Sequence, residues 1–283
     1  MGADRGVWPL RRGATAVALA LTVCLPGLGC AGGSSQSGSS EFMHPGARTP
    51  VRRLAVDEAL LRSSLRHWRA SDPGLLDPPP PAALTAAADE RQVVHELAKS
   101  PPLARATLAA FSAHDAEPLR AAVAAARDLE RLAGPSTGTP ALLHLVAPLP
   151  AGELLADYRA AQRRFGVHWQ VLAAVNLIET AFGRVDSRSS AGAQGPMQFL
   201  PATWRAYGLG GDIHSPRDAI LGAANYLHRS GAPGDDRRAL YAYNNSTLYV
   251  DAVLTYARQM TRDPLAYLRY YAWEASLPAT LGG

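Results

Sequence analysis

The sequence has 283 residues, 47% of them hydrophobic, which is enough for a buried core of one large or two smaller domains and excludes a disordered chain. The formal charge of +4 comes almost wholly from arginine, Lys99 being the only lysine, and the basic residues are scattered. Nucleic-acid binding needs a clustered basic face, so no nucleic-acid partner is expected; the charge supports a mild attraction to acidic polymers.

Residues 1–31 read as an export segment. Arg5, Arg11 and Arg12 precede an apolar run from Ala14 to Leu25, followed by small residues around Gly29, Cys30 and Ala31. The run is too short for a permanent bilayer helix. Two release routes fit: a plain cut after Ala31, or lipidation of Cys30. The second resembles the lipobox of bacterial lipoproteins, although Gly27 stands where that motif usually has Leu. The chain is therefore expected to be exported to the cell envelope or beyond, and lipidation would hold it on the outer face of the plasma membrane. Cys24 and Cys30 are the only cysteines, so the mature fold has neither an internal disulfide nor a cysteine metal site.

Residues 32–50, rich in Gly, Ser and Pro, form a linker. Within a helical N-terminal region, 51–133, Leu54, Leu61 and Leu65 mark an amphipathic helix from Val51 to Trp68. Pro78 to Pro81 interrupt the chain, and Pro101, Pro102 and Pro118 are expected to cut Ala82–Ala133 into three helical pieces, a packing arm without chemistry of its own. Residues 134–150 form a Pro/Gly-rich connector. No repeat and no alternating strand run occurs, so the fold class is mainly α.

In the next segment, 151–262, one helix is predicted from Gly152 to Arg164 and a second, beyond Gly166, from Val167 to Phe182. Leu172, Val175 and Phe182 share a face with Glu179, which places that carboxyl on an apolar stripe. Desolvation there would raise its pKa and let it act as a general acid toward a glycosidic oxygen. An isolated glutamate near a helix end would sooner turn to solvent or cap a loop. Two further clusters bear on the choice: Ser189 through Gln198, a small-residue loop closing on Pro196-Met197-Gln198, and Ala242-Tyr243-Asn244-Asn245-Ser246. Close backbone approach to a ligand suits the first, and hydrogen bonding to carboxyl or N-acetyl groups suits the second.

Taken in order, Glu179-Thr180, Ser189 through Gln198, and Ala242-Tyr243-Asn244 resemble the catalytic domain of bacterial lytic transglycosylases of the soluble, lysozyme-like (SLT) kind, as found in secreted actinobacterial members. That family shows Glu-Ser, then Ser-x-x-Gly-Ala-x-Gly-Leu-Met-Gln, then Ala-Tyr-Asn-x-Gly. Trp204-Arg205-Ala206-Tyr207-Gly208 and the stretch from Asp218 to Leu227 add to the likeness. Thr180, Pro196 and Asn245-Ser246 depart from it.

The resemblance implies a lysozyme-like helical catalytic domain with an N-terminal helical extension, and peptidoglycan glycan strands as the partner. It implies Glu179 as the one catalytic acid and base, cleaving between N-acetylmuramic acid and N-acetylglucosamine with 1,6-anhydro closure. Ser189, Met197, Gln198, Tyr243 and Asn244 would bind substrate, with Tyr243 orienting Glu179 or the sugar and Met197 and Gln198 lining the cleft. No cofactor is implied. His168, His214 and His228 lack metal-ligand spacing, so no metal is expected. Goose-type-lysozyme-like hydrolysis would need a second carboxylate, for which Asp186 and Asp212 are the nearest in sequence. A catalytically inactive wall-binding lipoprotein is the third reading. In the C-terminal segment 263–283, Leu265, Leu268 and Tyr271 are spaced for helical packing, and the aromatic residues there could alternatively stack on sugars.

Overall fold

The computed structural model describes residues 49–134 and 144–277, so the export segment and Cys30 lie outside the described residues. Among them are eleven α-helices, and the only β pairings are the isolated bridges Leu145–Val185 and Gln194–Phe199. None of these helices is long and apolar enough to cross a membrane.

The N-terminal helices are α1 (Pro50–Ser71), α2 (Pro81–Lys99), α3 (Pro101–Leu108) and α4 (Ala113–Ala133). Prolines open the first three, where a missing N–H costs nothing. The break between α3 and α4 falls at residues 109–112 and not at Pro118, which sits inside α4. Ser112 sets that start: its hydroxyl accepts from the Asp115 backbone N–H and donates to the Asp115 carboxylate.

The remaining helices are α5 (Ala151–Phe165), α6 (Trp169–Thr180), α7 (Pro201–Tyr207), α8 (Pro216–Ser230), α9 (Asp236–Tyr243), α10 (Thr247–Arg262) and α11 (Ala266–Ala275). Gly166 ends α5 at φ +77°, a left-handed cap that glycine adopts without strain. Every residue of α6 from Val171 to Thr180 is buried. The helix is thus enclosed on all sides, and the single apolar stripe read from the sequence does not describe it.

Helix α6 packs on α10, α5 and α11, and the far side of α10 packs on α4. Helix α2 lies against α1, α4 and α11. One continuous hydrophobic core runs from Leu54 of α1 through α6 to Trp273 of α11. The N-terminal helices are therefore walls of the core that holds α6. Helix α11 is a packing helix, with Tyr267, Tyr270, Tyr271 and Trp273 all buried. Its Tyr267 and Tyr271 hydroxyls donate to the carbonyls of Ala151 and Leu149, and both rings lie against Phe182 just beyond α6.

Candidate active site

Helix α6 stops at Thr180, two residues before the expected end, because Ala181, Phe182 and Gly183 all take positive φ. The Ala181 and Phe182 N–H groups donate back to the carbonyls of Leu177 and Asn176, which closes the helix in a Schellman-like turn. Thr180 secures the chain beyond the turn. Its buried hydroxyl donates to the Pro196 carbonyl at 2.6 Å and accepts from the Gly183 N–H at 3.0 Å. Asn176, one turn earlier, donates to the same carbonyl at 2.8 Å and accepts from the Tyr158 hydroxyl at 2.6 Å. This chain of hydrogen bonds fixes the 183–196 loop against the end of α6. Thr180 and Pro196, two of the departures from the family motif, thus meet each other inside the protein.

The loop is shaped by its own residues. Ser189 accepts from the Ala193 N–H at 3.0 Å, Gln194 pairs with Phe199 through both backbone bonds, and Gln198 donates to the carbonyls of Ser187 and Gly195. Gly195, at φ +71°, lies so close to Ile213 that a Cβ would stand 1.9 Å from its carbonyl oxygen. Only glycine fits there.

Glu179 lies one residue before this knot and is 4% exposed. The Tyr249 hydroxyl, from the first turn of α10, donates to its Oε1 at 2.7 Å. Among the described residues no cation pairs with it within 4 Å. Burial pushes the carboxyl up to about 7, and the hydrogen bond from Tyr249 pulls weakly the other way. Such a group is about half protonated at pH 7, so it can serve as a general acid and, once the proton has left, as a base.

Of the two roles expected of Tyr243, orienting Glu179 or the sugar, direct contact with Glu179 is not seen. The Tyr243 hydroxyl donates to the Met197 carbonyl at 2.6 Å, and Tyr249 takes the position on Glu179. The phenols of Tyr243 and Tyr249 are both driven well above their ordinary range by burial, then by the nearby Glu179 carboxylate. Met197 is also corrected. Its side chain is fully buried in the core, and its backbone carbonyl accepts from Tyr243. Asn244 is buried at the end of α9, where its N–H donates to Leu240. Beside these groups the rings of Trp204, Phe199, Tyr243, Tyr226 and Tyr207 pack edge to face in sequence, with centroids 4.8 to 5.9 Å apart. Trp204, Tyr207 and Tyr226 are half-exposed and extend this aromatic row to the surface.

The two candidate second carboxylates are engaged elsewhere. Asp212 accepts from the His214 N–H in a turn, and Asp186 faces His144 at 3.7 Å on the surface. Of the histidines considered, His168 lies 3.8 Å from Asp236 and His228 packs on Phe165. Reasoning from sequence missed Tyr249, Asn176 and Tyr158. Tyr249 comes six residues after Tyr243 and is one of ten tyrosines, so nothing local distinguished it.

The central buried helix of this helical domain thus carries, near its C-terminal end, a glutamate with a tyrosine hydroxyl and no cation within 4 Å, an arrangement suited to general acid and base chemistry. Residues 158–264 match the family model described as Transglycosylase SLT domain, from within α5 to the turn after α10. The chain thus carries an SLT domain, the mark of lytic transglycosylase or lysozyme-like action on peptidoglycan. No curated protein and no solved structure matches the chain.

Proposed function

We propose that this protein is a peptidoglycan lytic transglycosylase that leaves 1,6-anhydro-muramic ends, with Glu179 as its single acid and base. The state of Glu179 carries the reading: it is buried, has no cation within 4 Å, and burial pushes its pKa up to about 7, so it can both give and take a proton near neutrality. The protonated carboxyl donates to the oxygen between N-acetylmuramic acid and N-acetylglucosamine, and the bond from muramic C1 to that oxygen breaks. The carboxylate so formed takes the proton of the muramic 6-hydroxyl, whose oxygen attacks C1 and closes the ring. Neither water nor a second carboxylate enters. Ordinary glycosidases require a carboxylate pair, and the engagement of Asp186 and Asp212 in surface contacts favours the one-carboxylate route.

In this reading the loop of Ser189 and Gln198, with Tyr243 and Asn244 opposite, frames the sugars, and Tyr249 positions the acid. The export pattern read in residues 1–31 supports a place in the cell envelope or outside the cell, with or without a lipid on Cys30.

Mass spectrometry of products released from purified peptidoglycan tests the proposal. Anhydro-muropeptides that vanish in Glu179→Gln are expected. Reducing-end products would instead identify a muramidase, and wall binding without release in either protein would identify a binding lipoprotein.

A further inference from the structure

A groove of about 370 Å³ runs between α3 and α4, within the size range of small-ligand sites. Its floor is apolar, formed by Ala104, Leu108 and Val123 among others, and its charged lining consists of Arg105, Arg120 and Arg127. Four other grooves on the molecule each include a carboxylate: Asp77, Asp186, Glu58 or Glu90. This one includes none. Among the described residues, none of its three guanidinium groups forms an ion pair within 4 Å. Arg127 is fixed in place by donating to the Ala98 and Leu97 carbonyls at the end of α2, whereas Arg105 and Arg120 are exposed.

We infer that the groove between α3 and α4 is a second binding site, for an acidic peptide with small aliphatic side chains. Arg120 and Arg127 are seven residues apart on one helix, about 10 Å along its axis, and Arg105 faces them from α3. A lone anion cannot engage both ends. An extended peptide rises about 3.3 Å per residue, so carboxylates roughly three residues apart meet both arginines while small side chains rest on the floor. Guanidinium groups bind such carboxylates through paired hydrogen bonds. Helices α4 and α10 separate the groove from Glu179. It would therefore hold the wall away from the point of cleavage, acting on capture and not on chemistry. Identifying the peptide with the stems of peptidoglycan rests on the function proposed above; the binding of an acidic peptide does not.

The test is calorimetric titration of the full chain with three probes: a peptidoglycan stem tetrapeptide with free carboxylates, the same peptide fully amidated, and a glycerol-phosphate oligomer. The free-acid peptide is expected to bind, at least tenfold more tightly than the amidated one. Arg105→Glu combined with Arg120→Glu should weaken it at least tenfold, and Glu179→Gln should leave it unchanged. Thermal melting checks that the double variant is folded, and the amidated peptide decides the matter if it is not. No binding by the unmodified chain, equal binding of the amidated peptide, or an unaffected folded double variant would overturn the inference. Tighter binding of the glycerol-phosphate oligomer would also overturn it, in favour of a phosphate polymer. Peptide binding by a chain that releases nothing from peptidoglycan would sink the proposed activity and leave this site standing.

Discussion

Among the described residues three glutamates are almost fully buried, Glu179 at the end of α6, Glu90 on α2 and Glu274 on α11, and the surroundings of the first two are opposite. Glu90 accepts from Arg269 at 2.5 Å and from the Trp273 indole at 2.8 Å, and Arg269 reaches on to Glu58 of α1. Burial raises the Glu90 pKa against the pull of Arg269 and Trp273. Burial likewise opposes the charge on Arg269, yet Glu90 and Glu58 outweigh it and hold the guanidinium firmly protonated. This is a joint between helices: α1, α2 and α11 meet at one cation. Glu179 has a tyrosine hydroxyl and no cation, so nothing pins its charge. Burial raises both carboxyls, and the difference lies in the partner: a cation ties Glu90 into a joint between helices, whereas Glu179 is left with one hydroxyl.

The sharpest way to break this comparison is Glu179→Gln. Release of muropeptides should fall by about 10³-fold, the scale of a lost general acid and base, with the fold intact by circular dichroism. The same variant reports the linkage. A carboxyl whose folded pKa is raised from 4.5 to about 7 contributes stability that is fully present below pH 4.5 and lost as pH rises through 7. Glu179→Gln should thus match the parent at pH 4 and exceed it by up to about 3 kcal/mol at pH 8 in urea unfolding.

Glu90→Ala should do the reverse. It leaves Arg269 with only Glu58 and should cost about 3 kcal/mol of stability, while turnover per folded molecule is unchanged. Loss of turnover without loss of stability would show that the two glutamates are not divided as described.

Gly195→Ala should cost about 2 kcal/mol through strain at positive φ and the contact with Ile213, with cleavage lowered as the loop shifts. Thr180→Val should cost about 1 to 2 kcal/mol by leaving the Gly183 N–H and the Pro196 carbonyl short of a partner, and Thr180→Ser should restore it. Smallest is Tyr249→Phe. The hydroxyl favours the ionised form of Glu179, so its removal should move the alkaline limb of the pH–activity profile to higher pH. An unmoved limb would mean that Tyr249 does not set the proton affinity of Glu179.

By itself the sequence determined whatever depends on neighbours along the chain. The apolar spacing located most of the helices, the prolines at 81 and 101 opened two of them, and Gly166 ended α5. Three short clusters in order were enough to single out Glu179, because residue types at local spacing carry a motif. The tertiary structure decided whatever depends on residues far apart. It chose Tyr249 over Tyr243 as the partner of Glu179, turned Met197 inward, and kept α4 running through Pro118, whose carbonyl accepts from Gln259 of α10. It also made α6 a core helix with no outer face, since α10, α5 and α11 close around it. Burial is a sum over packed neighbours, and the proton affinity of Glu179 follows from burial; neither is written in the residues beside it.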